Sequence, residues 1–145
     1  MLMTMSGFAT TLPVYMRLAA ETDDPVERMK LTMAANFSWF MKNHCWEKPL
    51  NPILGETFTA TGQDGTRLYM EQTAHHPPRS HLWVEGPDEL YTMSGYLEYE
   101  IYSGVRSTSV NCHGHKQVNF KDGTKIKWNQ NNDTISGIML GTMLH

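Results

Sequence analysis

The segment Lys48 to Glu56, KPLNPILGE, divides this chain into two parts with different periodicities. Pro49 and Pro52 each fix φ and remove a backbone donor, so neither a helix nor a central strand runs through them. Asn51 favours a turn, and Gly55 opens backbone conformations closed to other residues. Before the segment, apolar residues recur at helical spacing. After it, they alternate.

On the N-terminal side the clearest element starts at Asp24. Asp24 suits an N-cap, Pro25 the first helical position, and Glu27 completes a D-x-x-E capping arrangement. Val26, Met29, Met33, Phe37, Phe40 and Met41 follow at three- and four-residue spacing, predicting one wide apolar face packed on the rest of the fold. The helix should fade near His44, ahead of the prolines. Leu12 to Leu18, LPVYMRL, is an apolar lead-in, and Pro13 argues that any helix there begins after it.

Beyond Glu56, Phe58 and Ala60 alternate with threonines, GQDG (Gly62 to Gly65) marks a turn, and Leu68 and Met70 alternate with Arg67, Tyr69 and Glu71, a hairpin pattern. Further strands are expected over Ser80 to Glu85, Leu90 to Ser94, Tyr96 to Tyr102 (broken off by Gly95) and Val105 to Val110. Val118 and Phe120 should pair with Ile126 and Trp128 across the turn at Lys121 to Gly123. Asn129 to Asp133 reads as a polar loop, and the apolar run from Thr134 carries Gly137 and Gly141, which suit bulges or close backbone approach. The fold class is therefore α+β: an N-terminal helix followed by an antiparallel meander of short strands in a strongly curved or barrel-like sheet. An apolar strand just begun at Leu144 and His145 leaves an open sheet edge, which further chain or a second copy should cover.

The net charge of −3 and pI of about 6.1 supply no basic field for nucleic acid. Cys45 and Cys112 lie far apart without CxxC spacing, which fits free thiols in a reducing compartment better than a disulfide scaffold. The amino terminus has no basic region ahead of its apolar stretch, and no run approaches the roughly 20 apolar residues of a membrane span. These features point to a cytosolic protein. The eleven methionines suit adaptable apolar cavities and ordinary core filling alike.

The chemistry-bearing stretch is EQTAHHPPRS, Glu71 to Ser80. Two prolines directly after His75 and His76 hold the pair on a stiff, extended segment at the end of a sheet. Neighbouring side chains on such a segment point to opposite faces, so both rings meet one small ligand only if the chain twists there or the ligand is wedged at a strand end. Imidazoles can donate to anions, bind metal or move protons. A metal site from His75, His76, Cys112, His113 and His115 lacks HExxH and CxxC spacing, and CHGH reads more simply as a polar connecting loop. No GxSxG elbow or cysteine-enzyme context accompanies the serines and thiols. Anion recognition fits otherwise: Lys48 and Asn51 on one proline-stiffened turn and His75 and His76 on another, with one hairpin between them, would make a phosphate clamp over an apolar interior able to accept a lipid. Solvated turn residues and surface histidines are the plainer account of the same four positions.

EQTAHHPP closely resembles the EQ-x-x-HHPP fingerprint of the oxysterol-binding protein family of lipid-transfer proteins, and KPLNPILGE resembles its KP-x-NP-x-LGE segment. LPVYM, DPVERM, KDGTKIKW and NDTISGIMLGTMLH extend the resemblance, in order, over nearly the whole chain. It implies an incomplete antiparallel barrel around a hydrophobic tunnel, with a lid at its mouth, that exchanges a sterol or other lipid for phosphatidylinositol 4-phosphate between membranes. Lys48, Asn51, His75 and His76 match the family's headgroup-binding positions, and Leu12 and Pro13 fall in the segment after the lid, with Leu12 near the lipid. RLAAET after LPVYM departs from the family's acidic-proline continuation. The family's domain also extends well past residue 145, and its later basic residues complete the headgroup site. The implied protein is therefore the N-terminal part of a single lipid-binding domain over residues 1–145. It would have no enzymatic activity and no cofactor, and it would contact membranes transiently at contact sites. A phosphatidylserine carrier or lipid sensor is the alternative within the family, and a metal-dependent hydrolase using the histidine-rich loops the alternative outside it.

Overall fold

The computed structural model describes residues 11–42, 51–104, 107–129 and 132–136. Helix α1 spans Leu12–Glu21 with Pro13 in its first turn. There the missing N–H would have had no intrahelical partner, so the proline starts the helix rather than delaying it, which corrects the expectation from LPVYMRL. Leu12, Pro13, Met16 and Ala19 fall on one face and are buried. Helix α2 spans Pro25–Lys42, and Asp24 caps it by accepting from the Val26 N–H at 2.9 Å. The reciprocal half of the capping box does not form. Glu27 pairs with Lys30 at 3.3 Å, and the Asp24 N–H goes to Thr22 Oγ1 at 3.3 Å.

The expected inward face of α2 points outward. Val26, Met29, Met33 and Phe37 are 60, 45, 49 and 47 % exposed, while Arg28, Thr32 and Ala35 are 6, 1 and 0 % exposed. Arg28 explains the reversal. Its Nε donates to the Ala19 carbonyl at 2.9 Å and Nη2 to the Thr22 carbonyl at 2.5 Å, while Nη1 reaches Asp122 at 2.5 Å and Thr124 at 2.9 Å. The guanidinium also lies 5.1 Å from the centre of the Phe120 ring. A buried guanidinium with this many acceptors fixes the rotation of the helix, because turning it outward would strip them all. The Phe40 and Met41 side chains lie outside the described residues.

Among the described residues eight strands form one antiparallel sheet: β1 (Thr57–Thr61), β2 (Arg67–His75), β3 (Pro78–Glu85), β4 (Tyr91–Ser103), β5 (Ser107–His113), β6 (His115–Phe120), β7 (Lys125–Asn129) and β8 (Asp133–Ser136). The long β4 runs straight through Gly95, where the sequence suggested two strands. A side chain at Gly95 would collide with the backbone of His115 and Lys116, so glycine is needed for close approach and not for a break. Both β5 and β6 pair with the same side of β4 in one unbroken register, Glu98 opposite His113 and Gly95 opposite Lys116. They are one strand kinked at Gly114, whose φ of +123° and closeness to the Tyr96 carbonyl exclude a side chain. CHGH is therefore strand, not a connecting loop. Val118 faces Ile126 as expected, whereas Trp128 faces Lys116 and not Phe120. In β8, Asp133–Val110 and Ser136–Ser107 pairs carry the sheet along β5. Gly137, Gly141 and the chain's apolar end lie outside the described residues.

Alternation sorts the strands cleanly. Leu68, Met70, Leu82, Val84, Tyr91, Met93, Leu97, Val118 and Phe120 are buried beneath α1, together with Leu12, Met16, Ala19 and Ala35. The other face carries Arg67, Tyr69, Trp83 and the histidines His81 and His113. Lys116 is an exception, buried on the core side with Nζ donating to Asn36 Oδ1 at 3.2 Å. Burial pushes its ammonium down to about 8.

Candidate functional site at the β2–β3 end

The histidine pair closes a hairpin. β2 ends at His75, which faces Pro78 at the start of β3, and His76 and Pro77 make the turn between them, joined by a cis peptide bond. The prolines thus turn the chain back on itself instead of extending it outward, a correction to the stiff extended exit. The two imidazoles are exposed and lie edge to face, with centroids 4.6 Å apart. Simple alternation would send neighbouring rings to opposite faces. His76 escapes this rule because it already stands in the turn, beyond the last residue of β2. Just before the pair the strand is bulged: Gln72 pairs with Ser80, but Ala74 pairs with Arg79, leaving Thr73 as an extra residue.

Below the rings, polar groups are fully engaged. The buried Gln72 side chain donates to the Ala74 carbonyl at 2.8 Å and accepts from the Ser80 hydroxyl. Arg79 forms an ion pair with Glu98 at 2.5 Å and lies 5.4 Å from the Tyr96 ring centre. Thr73 and His81 share a hydrogen bond of 2.7 Å. Sequence reasoning gave Gln72 and Ser80 no role. Their signal was available in the EQ that precedes the histidines, since a glutamine on the core side of an alternating strand needs partners there.

Asn51 is exposed on the segment entering β1. The turn after it is tied to β2 at the same place: the Gly55 N–H donates to the Gln72 carbonyl at 2.8 Å, and the Gln72 N–H to the Glu56 carbonyl at 2.9 Å. Asn51 and the histidine turn therefore leave the sheet at one end. Lys48 lies outside the described residues. Leu12 and Pro13 sit elsewhere. With Leu18, Ala60, Leu68 and Val84 they line a cleft of about 890 Å³ between α1 and the β1–β2 turn, with the Arg17–Glu21 ion pair at its margin (2.9 Å). Leu68 and His75 stand seven positions apart on β2, roughly 23 Å at strand rise, so cleft and histidines occupy opposite ends of one strand.

The other described histidines find individual partners. His113 contacts Glu100 at 3.2 Å, and His115 packs edge-on against Tyr96 at 5.2 Å between centres. Among the described residues no three His, Cys, Asp or Glu side chains converge to share a metal ion. Cys112 is buried. Cys45 lies outside the described residues.

Comparison with known proteins agrees with this architecture. The family model described as oxysterol-binding protein matches residues 10–145. Oxysterol-binding protein 9 of Dictyostelium discoideum is 36% identical over 131 residues, 89% of this chain and 30% of the relative. Human oxysterol-binding protein-related protein 6 is 46% identical over 76 residues, covering 50% of this chain and 8% of its own length. Among solved structures, the ORD domain of Osh1 in complex with ergosterol superposes with a TM-score of 0.79 at 26% identity, covering 89% of this chain and 32% of that one. The Osh3 ORD in complex with PI(4)P, from Saccharomyces cerevisiae, has a TM-score of 0.80 at 23% identity, covering 97% and 38%, and speaks for the fold. The chain thus spans about a third of the Dictyostelium relative and of these solved domains.

Proposed function

The chain belongs to the oxysterol-binding protein family, and from that premise we propose that it binds a membrane lipid and carries it between membranes, exchanging a sterol or other lipid for phosphatidylinositol 4-phosphate. The observation that carries this reading is the pair of exposed imidazoles in contact at 4.6 Å, at the sheet end from which Asn51 also departs. Two rings facing solvent together, with an exposed amide on the segment that enters the sheet at the same end, are donors of the kind a phosphorylated headgroup requires. Lys48, three residues before Asn51, adds the permanent charge. The apolar wall from Leu12 and Pro13 to Leu68 and Val84 suits lipid hydrocarbon, whose burial offsets its loss from the bilayer at roughly 25 cal/mol per Å². Related domains have been solved with ergosterol and with PI(4)P, which favours this reading over a phosphatidylserine carrier.

Such transfer needs no covalent step, so the protein is not an enzyme. It works in the cytoplasm and meets membranes at their surfaces, at contact sites. Among the described residues no helix is long and apolar enough to cross a membrane. Residues 1–145 form the N-terminal portion of a larger lipid-binding domain, and the exposed stripe of Val26, Met29, Met33 and Phe37 supports this, being a face suited to cover by further strands. Extraction of phosphatidylinositol 4-phosphate from liposomes tests the site. His75→Ala with His76→Ala should abolish extraction while leaving the circular dichroism spectrum unchanged; undiminished extraction would remove the clamp.

A further inference from the structure

Two segments must be held in a fixed relation for the headgroup site to exist: the turn following Asn51 and the turn bearing the histidines. One residue touches both. The Gln72 main chain bonds Gly55 and Glu56 on one side, at 2.8 and 2.9 Å. Its side chain, with the residue 0 % exposed, spans the bulge on the other side. There Nε2 donates to the Ala74 carbonyl at 2.8 Å, and Oε1 accepts from the Ser80 hydroxyl across the hairpin. Ala74 immediately precedes His75, so the orientation of that carbonyl sets the peptide plane from which the first ring departs.

We propose that Gln72 is the positioning residue of the histidine pair, its amide locking the Thr73 bulge and the Ala74 carbonyl from which the His75–His76 turn is carried, at the sheet end where the Asn51 segment enters. This inference rests on the headgroup reading for its functional consequence, though not for its geometry. The amide suits the task because it is both donor and acceptor. A leucine of similar size would fill the same buried space and leave the Ala74 carbonyl without its partner, allowing the bulge to migrate or the peptide to flip. Carboxylate in place of amide would keep the acceptor for Ser80 and set an oxygen against the Ala74 carbonyl.

The test reads ring placement directly, without ligand. In the wild-type chain with isotope-labelled histidine, nuclear Overhauser contacts between the two imidazoles are expected, given their 4.6 Å separation. Gln72→Leu with Ser80→Ala should lose those contacts, and sedimentation with vesicles containing phosphatidylinositol 4-phosphate should weaken by about tenfold or more, the scale of one lost charge-assisted pair. Gln72→Glu, which keeps the residue's shape, serves where the double variant does not fold, with the same losses expected. Inter-ring contacts persisting in either folded variant would overturn the proposal. Loss of the contacts supports it even if the His75→Ala, His76→Ala chain still binds those vesicles, since that second result refutes the headgroup reading and leaves the positioning role intact.

Discussion

Helix α2 and the β2–β3 hairpin both announce an apolar face by periodicity, yet the chain treats the two faces oppositely. In the hairpin, Leu68, Met70, Leu82 and Val84 turn inward as alternation dictates. In α2 the stripe from Val26 to Phe37 turns outward, and the buried side is built from Arg28, Thr32 and Ala35. A period identifies which residues share a face, but it does not say what lies opposite that face. A strand has its neighbours fixed by the ladder. A helix is free to rotate, and here one guanidinium with acceptors on α1 and on the β6–β7 turn decides the matter.

That contrast can be broken most forcefully at Arg28. Arg28→Ala should cost about 3–5 kcal/mol in a urea titration, as expected when a buried, multiply bonded charge loses one side and leaves its acceptors unpaired. Met93→Ala, inside the sheet core, should cost about 2–5 kcal/mol by the same method. Lys116→Met acts in the other direction and depends on pH. The folded chain holds this ammonium at about 8, below the roughly 10.4 of an unfolded lysine. Between those values the unfolded state binds more protons, so wild-type stability should rise as pH climbs through that window. The methionine variant should lack that rise, and near pH 6 it should gain on the order of 1–2 kcal/mol, less whatever is lost at Asn36. Met33→Ser, on the outward stripe, should change stability by no more than about 0.5 kcal/mol; a loss approaching that of Met93→Ala would mean that α2 is rotated the other way.

Much of the fold was legible because it rests on local chemistry. Asp24 and Pro25 do begin α2, the GQDG and KDG turns do close hairpins, and the alternating runs do become strands. Two misread positions in the sheet share a different cause. Gly95 and Gly114 looked like interruptions, whereas each makes room for the neighbouring strand's backbone, a requirement that exists only once the strands are paired. At the candidate site, the histidines and Asn51 stood out in the sequence, and the structure brings their two turns to one sheet end. The contact between the rings was not legible, because alternation along a strand sends neighbours apart, and the turn that takes His76 off the strand exists only once β2 and β3 pair across it.

Native mass spectrometry of the chain after incubation with vesicles containing phosphatidylinositol 4-phosphate addresses the function most directly. The proposed function predicts one phosphoinositide bound per chain, lost when His75 and His76 are both alanine. A folded wild-type chain that emerges without lipid, or a double variant that retains it, would contradict it.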